Sequence, residues 1–195
     1  MTPSEFKVIW TQDDNSLCPI SIDRLNDLNL KQATIDFLTV AGLPDNVAPY
    51  LSFIKDTDDK YFGINRLTKQ YDFLESEYEK FVVIGSDGSG NPIAINTSMN
   101  DRIEWLDHED LFSSRYLNNS INQLAEILII YKNFITQILL ENGEDAYMDA
   151  NFSDSHFENL KQKIVNVDSI ALIEEGFWKE ELEMLLVNRE YYAKK

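Results

Sequence analysis

The chain contains a single cysteine, Cys18, so it can form no disulfide within itself and suits a reducing compartment. Its two histidines, His108 and His156, are far apart in sequence, and neither has a partner at helical metal-ligand spacing. With five prolines and seven glycines, no Pro/Gly/Ser-rich linker divides the chain. Nothing repeats, so the 195 residues read as one domain, 1–195. Basic residues are scarce, 17 against 34 acidic ones, giving a net charge of −17 and a pI near 4.4. A surface this negative repels nucleic acid and anionic lipid, and neither is expected as a partner. Two readings of the charge stay open: solubility alone, or faster encounter with a basic protein partner. A secretion signal is also missing, since MTPSEFKVIWTQDD lacks a basic region followed by a long apolar core. The longest apolar run, 121–140, is interrupted by Asn122, Gln123, Glu126, Lys132, Asn133 and Gln137, so no membrane span is expected. Together these absences place the protein in the cytoplasm as an expectation.

What the chain has is apolar and aromatic mass: 44% hydrophobic residues, with 11 Phe, 9 Tyr and 3 Trp, enough for one buried core. Phe6 to Trp10 reads as a first strand. Leu30, Ala33, Phe37, Leu38 and Ala41 recur at helical spacing, and Gly42 with Pro44 stops that helix near 41. Extended segments follow at Tyr50–Lys55, Tyr61–Arg66, 81–96 and Arg102–Leu106, joined by connections too short for crossover helices. Beyond them the period changes. Ser120 and Gln123 form a capping-box pattern ahead of a broad apolar face that ends near Gly143. Phe157, Leu160 and Ile164 mark a further helix, Asp168 is read as the cap of another, and Trp178, Leu182, Leu185, Leu186 and Arg189 share one side of the last. The expected class is α+β, a largely antiparallel sheet with an N-terminal helix and helices packed at the C-terminal end. The sheet-rich part covers about 45–110 and the helical part about 119–190.

The stretch FVVIGSDGSGNPIAIN, 81–96, holds three glycines within 85–90. Their spacing fits neither GxxxxGK[ST] nor GxGxxG, no Lys or Arg lies between Lys80 and Arg102, and Asp87 would repel a phosphate. A hairpin is the better reading. His108 stands among Asp107, Glu109 and Asp110, but consecutive residues of an extended chain point alternately, unlike a ligand set. A hydrolase using these residues around a metal-bound water is the weakest of three functional readings. Cys18 has no His or Lys beside it, and Ser89 lies in DGSGN rather than a nucleophile elbow. The three tryptophans read as core or core-edge residues. No catalytic residue, metal or cofactor is expected.

The order of segments is more informative than any one of them. FLTVAGLP (37–44), the 81–96 hairpin, IEWLDHED (103–110), YLNNSINQLAEIL (116–128) and VDSIALIEEGFWKEELEML (167–185) occur in sequence. This series resembles the SUKH superfamily, and most closely its fourth immunity-protein group, over about residues 30 to 190. The chain carries Leu124 where an aromatic is more usual and Asn119 where a Ser is common. The resemblance implies an inert α+β module that protects a bacterial cell by binding a toxin, frequently a nuclease. A cationic nuclease site would attract an acidic inhibitor that mimics its substrate. The expected partner is a basic cognate toxin. An intracellular scaffold or regulatory module is the alternative. Two acid groups are the preferred contact candidates, on loops expected to project together: Asp56, Asp58 and Asp59, and Asp107, Glu109 and Asp110. A third run, 133–160, has six acids and no Lys or Arg, with Tyr147 and Phe152 among them.

Overall fold

A computed structural model describes residues 1–13 and 16–194. Its elements are α1 (Pro3–Trp10), α2 (Gln32–Val40), β1 (Asn46–Val47), β2 (Leu51–Phe53), β3 (Asn65–Arg66), α3 (Leu67–Gln70), β4 (Phe81–Ser86), β5 (Pro92–Asn96), β6 (Arg102–Asp107), β7 (Ser113–Asn118), α4 (Ile121–Asn142), α5 (Asp154–Val167) and α6 (Phe177–Tyr192). The α+β class and antiparallel sheet expected from the sequence are present. The sheet runs β1-β2-β4-β5-β6-β7, with β3 also on β4. Phe53 pairs with Gly85 and Asn65 with Val83, so β2 and β3 lie end to end along one edge of β4. The loop between them leaves the sheet part-way along that edge.

Both faces of the central strands are buried, which is why they read as near-continuous apolar runs. Val82, Ile84, Ile93, Ile95, Ile103 and Leu117 face the helices and join the main core. Phe81, Val83, Ala94 and Leu106 point the other way, under Leu67 and Phe112. The alternation along β4 follows the period of two of a strand. On the helical side α4 is the central element. It is long and apolar enough by composition to cross a bilayer, yet Leu124, Ile127, Leu128, Tyr131 and Ile138 are buried within the fold. Helices α1, α2 and α5 pack against it.

Three expectations are corrected. Phe6–Trp10 is helical, because Thr2 and Glu5 close a capping box around Pro3 at the helix start. Phe6 and Trp10, one turn apart, are both buried, and Phe6 meets Phe37 at 5.4 Å between ring centres. Asp168 starts no helix; it ends α5, and residues 169–176 form turns before α6. Within 61–66 only Asn65 and Arg66 pair as a strand. The Ser120 cap is present, its hydroxyl accepting from the Gln123 amide at 3.3 Å. The Gln123 side chain, however, donates to the Val167 carbonyl at 2.9 Å and ties α4 to the end of α5. The expected stop after α2 is present: Gly42 has φ +67°, and a Cβ there would stand 2.0 Å from the Cys18 carbonyl oxygen.

Candidate partner-binding surface

The predicted acids lie in two places separated by β4 and β5. Asp56, Asp58 and Asp59 occupy the loop between β2 and β3. Asp56 accepts from the Ser21 hydroxyl at 2.9 Å and from Arg24 Nε at 2.7 Å, and Arg24 Nη1 reaches Asp58 at 2.5 Å. Asp59 accepts the Tyr61 and Phe62 amides at 2.8 and 3.0 Å, folding the loop on itself. All three are held below the usual carboxylate range, by the Ser21 hydroxyl, the Arg24 guanidinium and the Phe62 amide respectively. Asp107, Glu109 and Asp110 sit at the β6–β7 turn. Asp107 accepts the Glu109 amide at 3.0 Å and lies 3.7 Å from Arg115. Glu109 and Asp110 are exposed and make no ion pair among the described residues. The topology therefore does not gather the two groups as loops of one sheet end. His108 Nδ1 lies 2.6 Å from the Asn91 side-chain oxygen, and no group of three or more His, Cys, Asp or Glu among the described residues is placed to hold a metal.

The glycine-rich turn is a hairpin joining β4 and β5. Asp87 fills it: one carboxylate oxygen accepts the Ser89 and Asn91 amides at 2.8 and 2.9 Å. The other accepts the Asn91 side-chain amide at 2.9 Å and the Trp105 indole N–H at 2.8 Å. Burial raises its pKa, but these hydrogen bonds outweigh burial and keep it low. The inward amides that a phosphate would need are already taken.

Next to this hairpin the fold builds a cavity of about 160 Å³ that the sequence did not single out. Tyr50, at φ +57°, stands over Gly88, its Cβ 3.2 Å from where a Cβ on that glycine would be. Helix α4 brings Tyr131, the turns after α4 bring Tyr147 and Met148, and α6 brings Glu181, Met184 and Tyr192. Among the described residues no Lys or Arg lines the cavity. Tyr131 is 0% exposed, and the Tyr147 hydroxyl is the group that meets its own. Tyr147, Glu181 and Tyr50 are the polar groups that face it. Glu181 makes no hydrogen bond or ion pair among the described residues, and its pKa is pushed up to about 7, first by burial and then by Asp87 and Glu180. The rim is exposed and soft: Tyr50 at 68%, Met148 at 62% and Met184 at 54%. Glu144, Asp145 and Asp149, from the third acidic run, are exposed on the same turn segment as Tyr147. A second hollow, of about 270 Å³, lies by Tyr61, Phe62 and Tyr71 at the β2–β4 edge, where Lys55 and Asp45 already pair at 2.8 Å.

The residues that made the chain recognisable are structural. Asp168, 2% exposed, accepts from the Tyr116 hydroxyl at 2.7 Å, the Asn118 side-chain amide at 3.0 Å and the Asn119 amide at 3.3 Å. Asn118 in turn accepts from the Trp178 indole at 3.0 Å. One network thus fastens β7 to the end of α5 and the start of α6. The family profile described as SUKH-4 immunity protein matches residues 14–184. The chain belongs to this family. Asp168, Ala171 and Trp178, in the last of the segments that carried the resemblance, are all buried. No curated protein and no solved structure matches the chain. Membership supports an immunity role, exercised on a cognate toxin.

Proposed function

We propose that the chain is a non-catalytic immunity protein that acts in the bacterial cytoplasm. It binds a cognate toxin, a nuclease or another enzyme that acts on nucleic acid, and neutralises it by occluding the active site or a surface beside it. The single observation that carries this reading is the family match, which runs from residue 14 to residue 184 and so takes in almost the whole fold. The charge of −17 supports a cationic partner, because a site built to hold a polyanion attracts an acidic inhibitor over long range. Contact is assigned to carboxylates that no donor among the described residues engages. Glu109 and Asp110 are two of these, and Glu181 with Glu144, Asp145 and Asp149 form a larger set beside an aromatic cavity. Asp56 and Asp58 are the weaker candidates, since Arg24 already neutralises part of their charge.

The test is co-expression with the C-terminal domain of the toxin encoded beside this gene. Restored growth, with a stable complex of the purified pair, is the expected result. A toxin that kills equally with and without the chain would overturn the reading and leave the scaffold alternative.

A further inference from the structure

We propose that the cavity between Tyr131, Tyr147 and Glu181 captures the guanidinium of an arginine presented by a protein partner. The inference rests on the immunity reading only for the identity of that partner; guanidinium capture is a property of the cavity itself.

The observations converge from independent sides. Glu181 is a half-buried carboxylate that no cation among the described residues pairs with, a situation that favours recruiting one. The Tyr131 hydroxyl is enclosed with the Tyr147 hydroxyl beside it, and its oxygen keeps accepting capacity on the cavity side. The aromatic faces of Tyr50 and Tyr147 supply walls on which a flat cation stacks. A guanidinium suits such a site better than an ammonium, because its fork can bond a carboxylate with two N–H groups and its plane can lie on a ring. A hard metal ion is a poor fit, since a single carboxylate among phenols does not make an oxygen cage. The volume of about 160 Å³ is below the roughly 300–1,000 Å³ of small-molecule sites and suits the head of one side chain. The exposed Met148 and Met184 can reshape the rim around what approaches.

Ionisation of Glu181 also predicts a pH response. Asp87 and Glu180 disfavour its charge, and the other described ionisable groups lining the cavity with it are the phenols of Tyr50, Tyr131, Tyr147 and Tyr192. A bound guanidinium reverses that penalty, so capture should strengthen as the carboxylate ionises.

The experiment titrates the full chain, carrying 13C-methyl methionine, with N-acetyl-arginine methylamide. The expected result is a saturable shift of the Met148 and Met184 methyl signals with Met1 and Met99 unmoved. The uncharged citrulline analogue should give no such shift. Glu181→Gln should weaken binding about ten-fold or more, and wild-type affinity should rise about ten-fold between pH 6 and pH 8. Because Glu181→Gln could act by altering the fold, Tyr50→Ala, at an exposed position, serves as a second variant and should weaken binding while preserving the thermal midpoint. Absence of a saturable shift, equal binding of citrulline, equal binding of the lysine analogue, or indifference to both substitutions would each overturn the proposal. A chain that captures the arginine probe but fails to rescue growth overturns the immunity reading and leaves this one intact. Rescue without probe binding does the reverse.

Discussion

In the loop between β2 and β3 every aspartate singled out meets a donor: Asp56 and Asp58 meet Arg24, and Asp59 meets the amides of Tyr61 and Phe62. In the cavity beside α6 the Glu181 carboxylate meets none among the described residues, and burial lifts its pKa to about 7. Both regions are acid-bearing and carry tyrosine. What separates them is commitment. A carboxylate already bonded within its own chain has little left for a partner, whereas an enclosed and unpaired one is stabilised by whatever cation arrives. Surplus negative charge is therefore a poor guide to where a partner sits; the state of each carboxylate is a better one.

Substitutions across the range of commitment should separate the classes. The largest loss is expected at Asp168, an engaged acid in the interior, which takes hydrogen bonds from Tyr116, Asn118 and Asn119. Asp168→Ala strands these donors and should lower the unfolding free energy by about 3 kcal/mol, read by urea denaturation. An intact midpoint would mean that commitment says little about stability here.

Glu181→Gln should act in the opposite direction. The folded chain holds Glu181 near 7 against an ordinary 4.5, so it binds that proton more tightly than the unfolded chain. The resulting stabilisation is complete below about pH 4.5 and is lost as the pH rises through about 7. The amide stays neutral throughout. The variant should exceed the parent by about 1–2 kcal/mol at pH 8, after allowance for solvent screening, and match it near pH 4. A pH-independent difference would break the contrast between the two regions.

The smallest effect belongs to the exposed loop. Asp58→Lys exchanges the Arg24 ion pair for a repulsion in solvent and should move the thermal midpoint by only a degree or so, about the scale of surface pairs. It should leave the arginine titration unchanged. Weakened probe binding in this variant would show that the loop and the cavity are coupled.

Much of the fold was legible because periodicity and punctuation are local. The hairpin followed from glycines between two apolar runs, and α2, α4 and α6 followed from apolar residues on one helical face. The start of α1 was legible too, in Thr2-Pro3-Ser4-Glu5, but the apolar alternation in Phe6–Trp10 drew the reading towards a strand. The strand β7 was missed because Ser113, Ser114 and Arg115 are polar and not buried, while only Tyr116, Leu117 and Asn118 enter the interior. Asp168 was read as a helix start because aspartates favour caps, and nothing nearby in sequence reveals donors arriving from β7. The cavity was out of reach for the same reason. Its members come from a turn near residue 50, from α4, from the turns after it and from α6, and only folding makes them neighbours. Tyr147 and the acidic run around it were noticed in the sequence, but their significance depends on Glu181, more than thirty positions away.

The Trp105–Asp87 hydrogen bond at 2.8 Å gives the molecule an optical handle of its own. Of three indoles, Trp10 and Trp178 are sealed in the interior, while Trp105 is half-buried at the hairpin with the Arg115 guanidinium 5.1 Å above its ring. Indole emission responds to nearby charge and water, so docking beside the hairpin should alter the colour of one chromophore and spare the other two. Recognition could then be followed in native material, label-free and in real time.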